Sequence, residues 1–163
     1  MAERFRCVGR PRGLWRWLAR LPIGLYRARL GWLLGDRFLM LAHVGRKSGS
    51  RRHTVLEVMR RDRASDTYYV AAGFGGDSDW LLNVAKTPDV VVHVGLRQWA
   101  AVAERLSPDD AAHEIAEFAR RHPAGTVVLA RVLGLQWDGT AEGPREWARA
   151  LPIVALRPKS AGS

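Results

Sequence analysis

Six short runs of apolar or alternating residues, separated by polar or glycine-containing turns, constrain the fold of this chain more than any other feature. Residues 38–44 are almost continuously apolar, which indicates a buried strand. Residues 54–59 alternate, so that Val55 and Glu57 lie on the opposite face from Leu56. The remaining runs are residues 68–72, 90–94, 99–104 and 153–156. Strands joined by turns this short predict a mainly antiparallel sheet that closes into a small six-stranded barrel.

Helix signals are fewer, and the strongest is in the second half of the chain. Ser107 followed by Pro108 and two aspartates is typical of a helix start, and this helix is expected to run to about His122. Shorter helices are predicted over residues 78–86 and 126–133. Between two of the strands, Gly95, Leu96 and Arg97 are expected to form a three-residue hairpin loop.

The fold class predicted from these elements is α+β, with one barrel domain over residues 37–158. An N-terminal basic segment, residues 1–36, precedes this domain, and a tail of residues 159–163 follows it. In residues 12–34, Trp, Leu and Arg recur at helical spacing, interrupted by Pro22. Two interpretations stay open for this stretch: a helix lying on an anionic membrane surface, or an amphipathic helix that packs on its own domain.

Positive charge is concentrated in the first part of the chain. The formal net charge is +10, and residues 1–63 hold 16 Arg and Lys against 4 Asp and Glu. An anionic partner would suit this distribution, although solvated arginines would also produce it. No helix-turn-helix, zinc-ligand set or RNA-binding signature is present, so nucleic acid is not an expected partner. We therefore expect a small molecule, with an anionic membrane surface as a second partner if residues 12–34 bind lipid.

Cysteine and histidine usage gives no sign of a metal site. Cys7 is the single cysteine, which excludes an intramolecular disulfide and a cysteine cluster. The five histidines lack a metal-ligand spacing with acidic support. With no cleavable signal and no apolar stretch of membrane-spanning length, we expect a cytoplasmic protein, and the alternative is peripheral attachment to the inner face of the membrane.

A basic, glycine-flanked stretch follows the first predicted strand. Residues 45–49 read GRKSG and are followed by two further arginines. This is not a phosphate-binding P-loop, because the spacing differs and a strand follows in place of a helix. The components nevertheless suit an anion: glycine-exposed backbone amides, the Ser48 hydroxyl, and the charges of Arg46, Lys47 and Arg52. A solvated hairpin turn would look the same.

Two further stretches carry candidate binding residues. Residues 70–76, VAAGFGG, end a strand in small residues that would let a flat ring or a pyrophosphate lie against the backbone. An ordinary glycine-rich loop is the alternative. Next, Trp80 and Asn83 fall three residues apart on one helical face, where they could orient a polar ligand, although Trp80 would equally serve a hydrophobic core.

Taken together and in this order, GRKSG-x-RR-x-TVLEV, VAAGFGG, DWLLNVAKTPDVVVHVG and LPIVALRP resemble the deazaflavin-dependent nitroreductase family. The resemblance covers residues 37–106 and 151–158. It implies a split β-barrel, like that of the FMN-binding pyridoxamine phosphate oxidases, and coenzyme F420, an 8-hydroxy-5-deazaflavin, as the cofactor. Where the family often has a serine and a lysine before the two glycines, this chain has Gly73 and Phe74.

The resemblance also implies a set of cofactor-binding residues. The phosphate and oligoglutamate tail would bind the basic stretch, the strand after it would line the deazaflavin, and the glycine-rich stretch would pack on the ring. His53 is the histidine most expected to act, because the neighbouring family position faces the cofactor. The complete set is Arg46, Lys47, Ser48, Gly49, Arg52, His53, Thr54, Val55, Leu56, Glu57, Ala71, Ala72, Gly73, Phe74, Asp79, Trp80 and Asn83.

The expected activity is hydride transfer between reduced deazaflavin and an electron-poor acceptor, namely a quinone, an activated alkene or a nitro compound. No catalytic side chain or proton donor is identified. Two alternatives remain: an FMN- or haem-binding barrel, and a non-catalytic protein that binds F420 or associates with a membrane. A monomer and a homodimer are both compatible with the sequence.

Overall fold

Six strands form a closed antiparallel barrel in a computed structural model that describes residues 37–73, 75–140 and 142–159. The strand order around the barrel is β1-β2-β3-β6-β5-β4. The strands are β1 (Phe38–Val44), β2 (Arg51–Asp62), β3 (Thr67–Ala71), β4 (Asp89–Val94), β5 (Arg97–Arg105) and β6 (Ile153–Pro158). This confirms the predicted α+β split-barrel fold.

Alternate side chains of each strand point into the barrel and fill its interior. Leu39 and Leu41 of β1, Val70 of β3 and Val92 of β4 are fully buried in this core, and Leu56 of β2 joins them. Because β1 is buried along almost its whole length, its sequence shows no alternation, as the continuous apolar run indicated.

Four helices flank the barrel in the part of the chain that the structure describes: α1 (Asp79–Lys86), α2 (Pro108–Arg121), α3 (Pro123–Leu133) and α4 (Gly143–Ala150). The Ser107 hydroxyl accepts a hydrogen bond from the Asp110 amide at 3.1 Å, as the start signal predicts. Proline 123 both ends α2 and opens α3, since a proline is tolerated in the first turn of a helix. The predicted start of α3 at residue 126 was therefore three residues late.

Helices α2 and α4 pack over the outer face of β3 and β6 and form a second hydrophobic core. Trp147 of α4 is buried there against Ile153, and its indole N–H donates to the Gln136 carbonyl at 2.7 Å. The sequence analysis missed α4, although Pro144 near its start and the buried pair Trp147 and Ala148 on one face were available signals.

Strand β2 and the hairpin between β4 and β5 differ most from the predictions, whereas the ends of β3, β4 and β6 differ by one or two residues. Strand β2 extends from residue 51 to residue 62 rather than from 54 to 59, because its basic first residues continue the pairing with β1. The hairpin between β4 and β5 has two loop residues, not three, since Val94 pairs with Arg97. Gly95 supplies the positive φ of +56° that so short a loop requires.

The N-terminal segment of residues 1–36, including the predicted helix over 12–34, lies outside the described residues, as do residues 160–163 of the tail. Within the described ranges, no helix is long and apolar enough to cross a membrane.

Candidate functional site

The candidate site lies at the end of the barrel where β1 passes into β2, which we call the turn end. Helix α1 covers this end, with Trp80, Leu81 and Val84 packed into the barrel core. The turn of residues 45–50 (the basic turn) and the loop of residues 72–78 (the glycine loop) both lie at this end, because β1 and β3 run in the same direction. Three stretches that are far apart in sequence thus meet.

Strand β2 extends beyond its neighbour β3 at the turn end. Residues 51–57 of β2 pair with β1, from Val44 opposite Arg51 to Phe38 opposite Glu57. Pairing with β3 begins only at Val58, opposite Val70. Within the described ladder, one edge of β2 therefore presents backbone N–H and C=O groups toward the glycine loop, and such an edge can hydrogen-bond a ligand.

The basic turn is closed by its own backbone. The Gly45 amide donates to the Ser50 carbonyl at 2.9 Å and the Gly49 amide to the Gly45 carbonyl at 2.8 Å, while Gly49 has a φ of +67°. A Cβ on Gly45 would lie 2.8 Å from the Arg52 Nε and 3.0 Å from the Ser48 hydroxyl. Glycine 45 is thus what lets the Arg52 side chain pass close over the turn, beside Ser48.

Three cations of this region have no ionic partner within the described residues: Lys47, Arg51 and Arg52. All three are exposed. At the opposite end of the barrel, Arg61 and Arg97 share the carboxylate of Asp66 at 2.6 and 2.9 Å, and only Arg63 among the described cations of the turn between β2 and β3 has no ionic partner. The turn end therefore carries uncompensated positive charge suited to an anion. Arg51 was missing from the predicted set, since the sequence did not show that β2 starts there.

Arg46, in contrast, is engaged by α1. Its backbone N–H donates to Asn83 Oδ1 at 2.9 Å, and its guanidinium donates to Asn83 Oδ1 and to Asp79 Oδ1, each at 3.1 Å. The Lys86 ammonium donates to the Arg46 carbonyl at 3.0 Å. These bonds fix the basic turn against α1, a role for Lys86 that the sequence analysis did not propose.

Asn83 also reaches the buried His43 at the end of β1. Because its Oδ1 accepts from Arg46, its Nδ2 faces His43 Nδ1 at 3.2 Å. An amide NH₂ can only donate, so His43 Nδ1 must accept and is unprotonated. Burial, followed by the charges of His53 and Arg52, lowers the pKa of His43 from 6.5 to about 4. The imidazole is therefore neutral at physiological pH.

The residues of the predicted set on β2 divide between the two faces of the strand. His53, Val55 and Glu57 point outward, and Glu57 accepts from Arg37 at 3.2 Å. Thr54 and Leu56 point into the barrel, and Leu56 belongs to the core, as do Trp80 and Ala72. His53 also contributes to lowering the pKa of His93, after the larger effect of burial. The cofactor roles assigned to these residues stay predictions.

The glycine loop is tied to its neighbours through the backbone. The Ala72 amide donates to the Pro152 carbonyl at 2.9 Å, and the Ser78 hydroxyl donates to the Gly75 carbonyl at 2.8 Å. Ala71 is half-buried and Gly73 is exposed, whereas Phe74 lies outside the described residues. A Cβ on Gly73 would meet no described atom within 4 Å, and its φ is not in the left-handed region. The fold itself therefore does not require glycine at position 73.

We expect Gly73→Val to leave folding intact and to disturb a ligand that lies against the glycine loop. Since the site is open, the stability change should stay within about 0.5 kcal/mol. Affinity for such a ligand should fall by about tenfold or more, because the isopropyl group takes the space next to the backbone. Thermal melting and ligand titration would measure the two effects.

The matched control is Gly76→Val in the same loop. Gly76 is also exposed, with no described atom within 4 Å of an added Cβ. An equal loss of affinity in both variants would contradict a specific contact at Gly73.

The described residues contain no group of three or more His, Cys, Asp or Glu side chains that could hold a metal ion.

Comparison with known proteins identifies one family. The family model described as F420H(2)-dependent quinone reductase matches residues 23–131. Two F420H(2)-dependent quinone reductases of Mycobacterium tuberculosis, strains ATCC 25618 / H37Rv and CDC 1551 / Oshkosh, are each 31% identical over 102 residues. The alignments cover 57% of this chain and 66% of each relative, just under two thirds of its length.

Solved structures with a similar fold include an F420-H2 dependent reductase, which aligns with a TM-score of 0.52 and 20% identity over 76% of this chain and 96% of that one. A protein of unknown function from Agrobacterium tumefaciens str. C58 aligns with a TM-score of 0.53 and 18% identity over 94% of this chain and 59% of that one. At these identities the similarity supports the barrel fold alone.

Proposed function

Because this chain belongs to the F420H(2)-dependent quinone reductase family, we propose that it transfers a hydride from reduced coenzyme F420 to a quinone. The observation that carries the proposal is the positive charge of Lys47, Arg51 and Arg52, which no described carboxylate pairs, at the same end of the barrel as the open backbone at Gly73. A polyanionic group and a flat ring could be bound there side by side.

The donor groups at the turn end fit the tail of coenzyme F420. The phosphate and glutamate groups of this tail are anionic. The chain offers the Lys47 ammonium and the Ser48 hydroxyl in the basic turn, and the Arg52 guanidinium from the adjoining start of β2. Charge-assisted hydrogen bonds of this kind are the strong ones in proteins. We assign the tail to these three residues and to Arg51.

The glycine loop and the adjoining edge of β2 fit the ring. Ala71 and Gly73 leave the backbone accessible, and residues 51–57 of β2 offer backbone groups along one edge. His53 and Val55 lie on the outward face of the same strand. In this assignment, Leu56 and Trp80 support the site from the barrel core, and their side chains do not contact the ring.

When bound, reduced F420 supplies a hydride, since carbon replaces the reactive ring nitrogen of a flavin and disfavours one-electron chemistry. Conversion of a quinone to a quinol takes this hydride and one proton, which balances two electrons and two protons. The residues of the chain orient the ring and the acceptor, and such positioning alone can provide much of the rate.

The family name favours a quinone over the activated alkene and the nitro compound that the sequence analysis also allowed. Quinones of respiratory chains are lipophilic, which would suit peripheral attachment to a membrane through residues 12–34. This attachment stays a prediction. The homodimer also stays a prediction.

A titration with F420, FMN and haem tests the cofactor assignment, followed through fluorescence quenching and absorbance. We expect F420 to bind and FMN and haem to bind much more weakly. Reduced F420 mixed with the protein and menadione should then be oxidised at a rate proportional to protein concentration. Tight FMN binding without F420 binding would overturn the proposal. Binding of F420 without oxidation across a panel of acceptors would favour a non-catalytic binding protein.

A further inference from the structure

Within the described residues, the guanidinium of Arg46 is the cation of the basic turn that pairs with a carboxylate of the same chain. Both of its terminal nitrogens donate to Asp79 Oδ1 at 3.1 Å, and Nη1 is 3.4 Å from the Asp79 carbonyl oxygen. The Asp79 carboxylate thus occupies the donor face of Arg46 that a phosphate or carboxylate of a ligand would use.

The two partners of Arg46 differ in burial and therefore in role. Asn83 is 3% exposed and accepts from both the backbone amide and the side chain of Arg46, so it anchors the basic turn. The Asp79 side chain is 65% exposed, at the start of α1, and the Arg46 side chain is 25% exposed. Loss of the Asp79 carboxylate leaves the backbone anchor to Asn83 and the Lys86 contact in place.

We propose that Asp79 limits the affinity of the site for its anionic ligand by competing for Arg46. An exposed ion pair is weak, so the anion of the ligand can displace the carboxylate, but each binding event loses the Arg46–Asp79 contact. As the ligand leaves, the carboxylate takes Arg46 back. The inference rests on the proposed function and specifies a residue that controls how long the coenzyme stays.

Weak retention has a use in the proposed reaction. A hydride donor gives up its hydride in a single turnover, and the proposed reaction uses reduced F420 that enters from solution. The oxidised coenzyme must therefore leave and a reduced molecule must enter. A carboxylate that competes for one of the cations accelerates that exchange without altering the residues placed against the ring.

The experiment is a set of binding titrations with two probes, coenzyme F420 and inorganic tripolyphosphate. Asp79→Asn should bind both probes about two- to fivefold more tightly than the unmodified chain, the range expected for an exposed ion pair. In turnover, the variant should show a lower KM for reduced F420 together with a lower kcat, because product release slows.

Asp77→Asn is the matched control. Asp77 is exposed, lies two residues away and has no ionic partner within the described part of the chain. This variant changes the net charge equally, so it measures the general electrostatic gain. The gain in affinity of Asp79→Asn should exceed that of Asp77→Asn. In an Arg46→Ala background the excess should disappear, since the two side chains then no longer interact.

The outcomes separate the inference from the proposed function. If F420 binds but Asp79→Asn gains no more than Asp77→Asn, the inference is overturned and the function stands. If F420 fails to bind while tripolyphosphate shows the excess gain that depends on Arg46, the competition is supported and the function is overturned. A loss of affinity in Asp79→Asn would mean that the ion pair positions the turn, and would also overturn the inference.

Discussion

Replacing Lys47 and Arg52 together by alanine is expected to weaken the binding of coenzyme F420 by about a hundredfold at low salt. A hydrogen bond to a charged group contributes roughly 1.5–3 kcal/mol, and the lower end applies because both side chains are exposed. The loss should grow with the number of glutamates in the tail. It should shrink as salt is added, since ions screen exposed charges. Fluorescence titration at several salt concentrations measures both trends.

The matched control is the double variant Arg63→Ala with Arg131→Ala. Both arginines are exposed and have no ionic partner within the described residues, and they lie outside the turn end, in the turn between β2 and β3 and on α3. The net charge falls by the same two units. If this control weakened F420 binding as much as the first variant, binding would depend on overall charge, and the assignment of the tail to the basic turn would fail.

The barrel could be predicted from the sequence because strand alternation is a local property. β1 was predicted with its observed bounds, and Leu56 of β2 lies on the face opposite Val55 and Glu57 as the alternation predicted, where it joins the core. The length of β2 could not be predicted, since Arg51 and Arg52 carry no alternation of apolar residues and join the strand through pairing with β1. α4 is as long as α1, which was predicted, so its length does not explain the miss; the start signal at Pro144 was not recognised.

The candidate site was predictable as a set of stretches but not as a set of contacts. Arg46 and Asn83 were both predicted to face a ligand, and in the structure they hydrogen-bond each other across 37 positions of sequence. A polar side chain near a glycine-rich turn looks the same in sequence whether it contacts a ligand or its own chain. The contacts between Arg46 and Asn83 form only because α1 packs onto the turn end, and this packing depends on residues distant in sequence.

His43 joins the buried core to this network and should make stability depend on pH. It is 4% exposed, and its pKa is lowered from 6.5 to about 4, chiefly by burial. Between these two values the unfolded chain binds a proton on His43 that the folded chain does not bind. Stability should therefore fall as the pH drops through this window, by up to about 3 kcal/mol from His43 alone. Below about pH 4 the folded state also takes up the proton, and the contribution from His43 stops growing.

Chemical unfolding between about pH 7 and pH 4.5, above the range in which most carboxylates titrate, measures this slope. His43→Gln removes the titrating group and should flatten the slope, whatever it does to the absolute stability. His113→Gln, a change at an exposed histidine of α2, should leave the slope as it is. The burial of His93 also lowers its pKa, so some slope of the same sign should persist in His43→Gln. A slope equal to that of the unmodified chain would contradict a neutral, buried His43, and with it the hydrogen bond from Asn83 that holds the basic turn to the barrel.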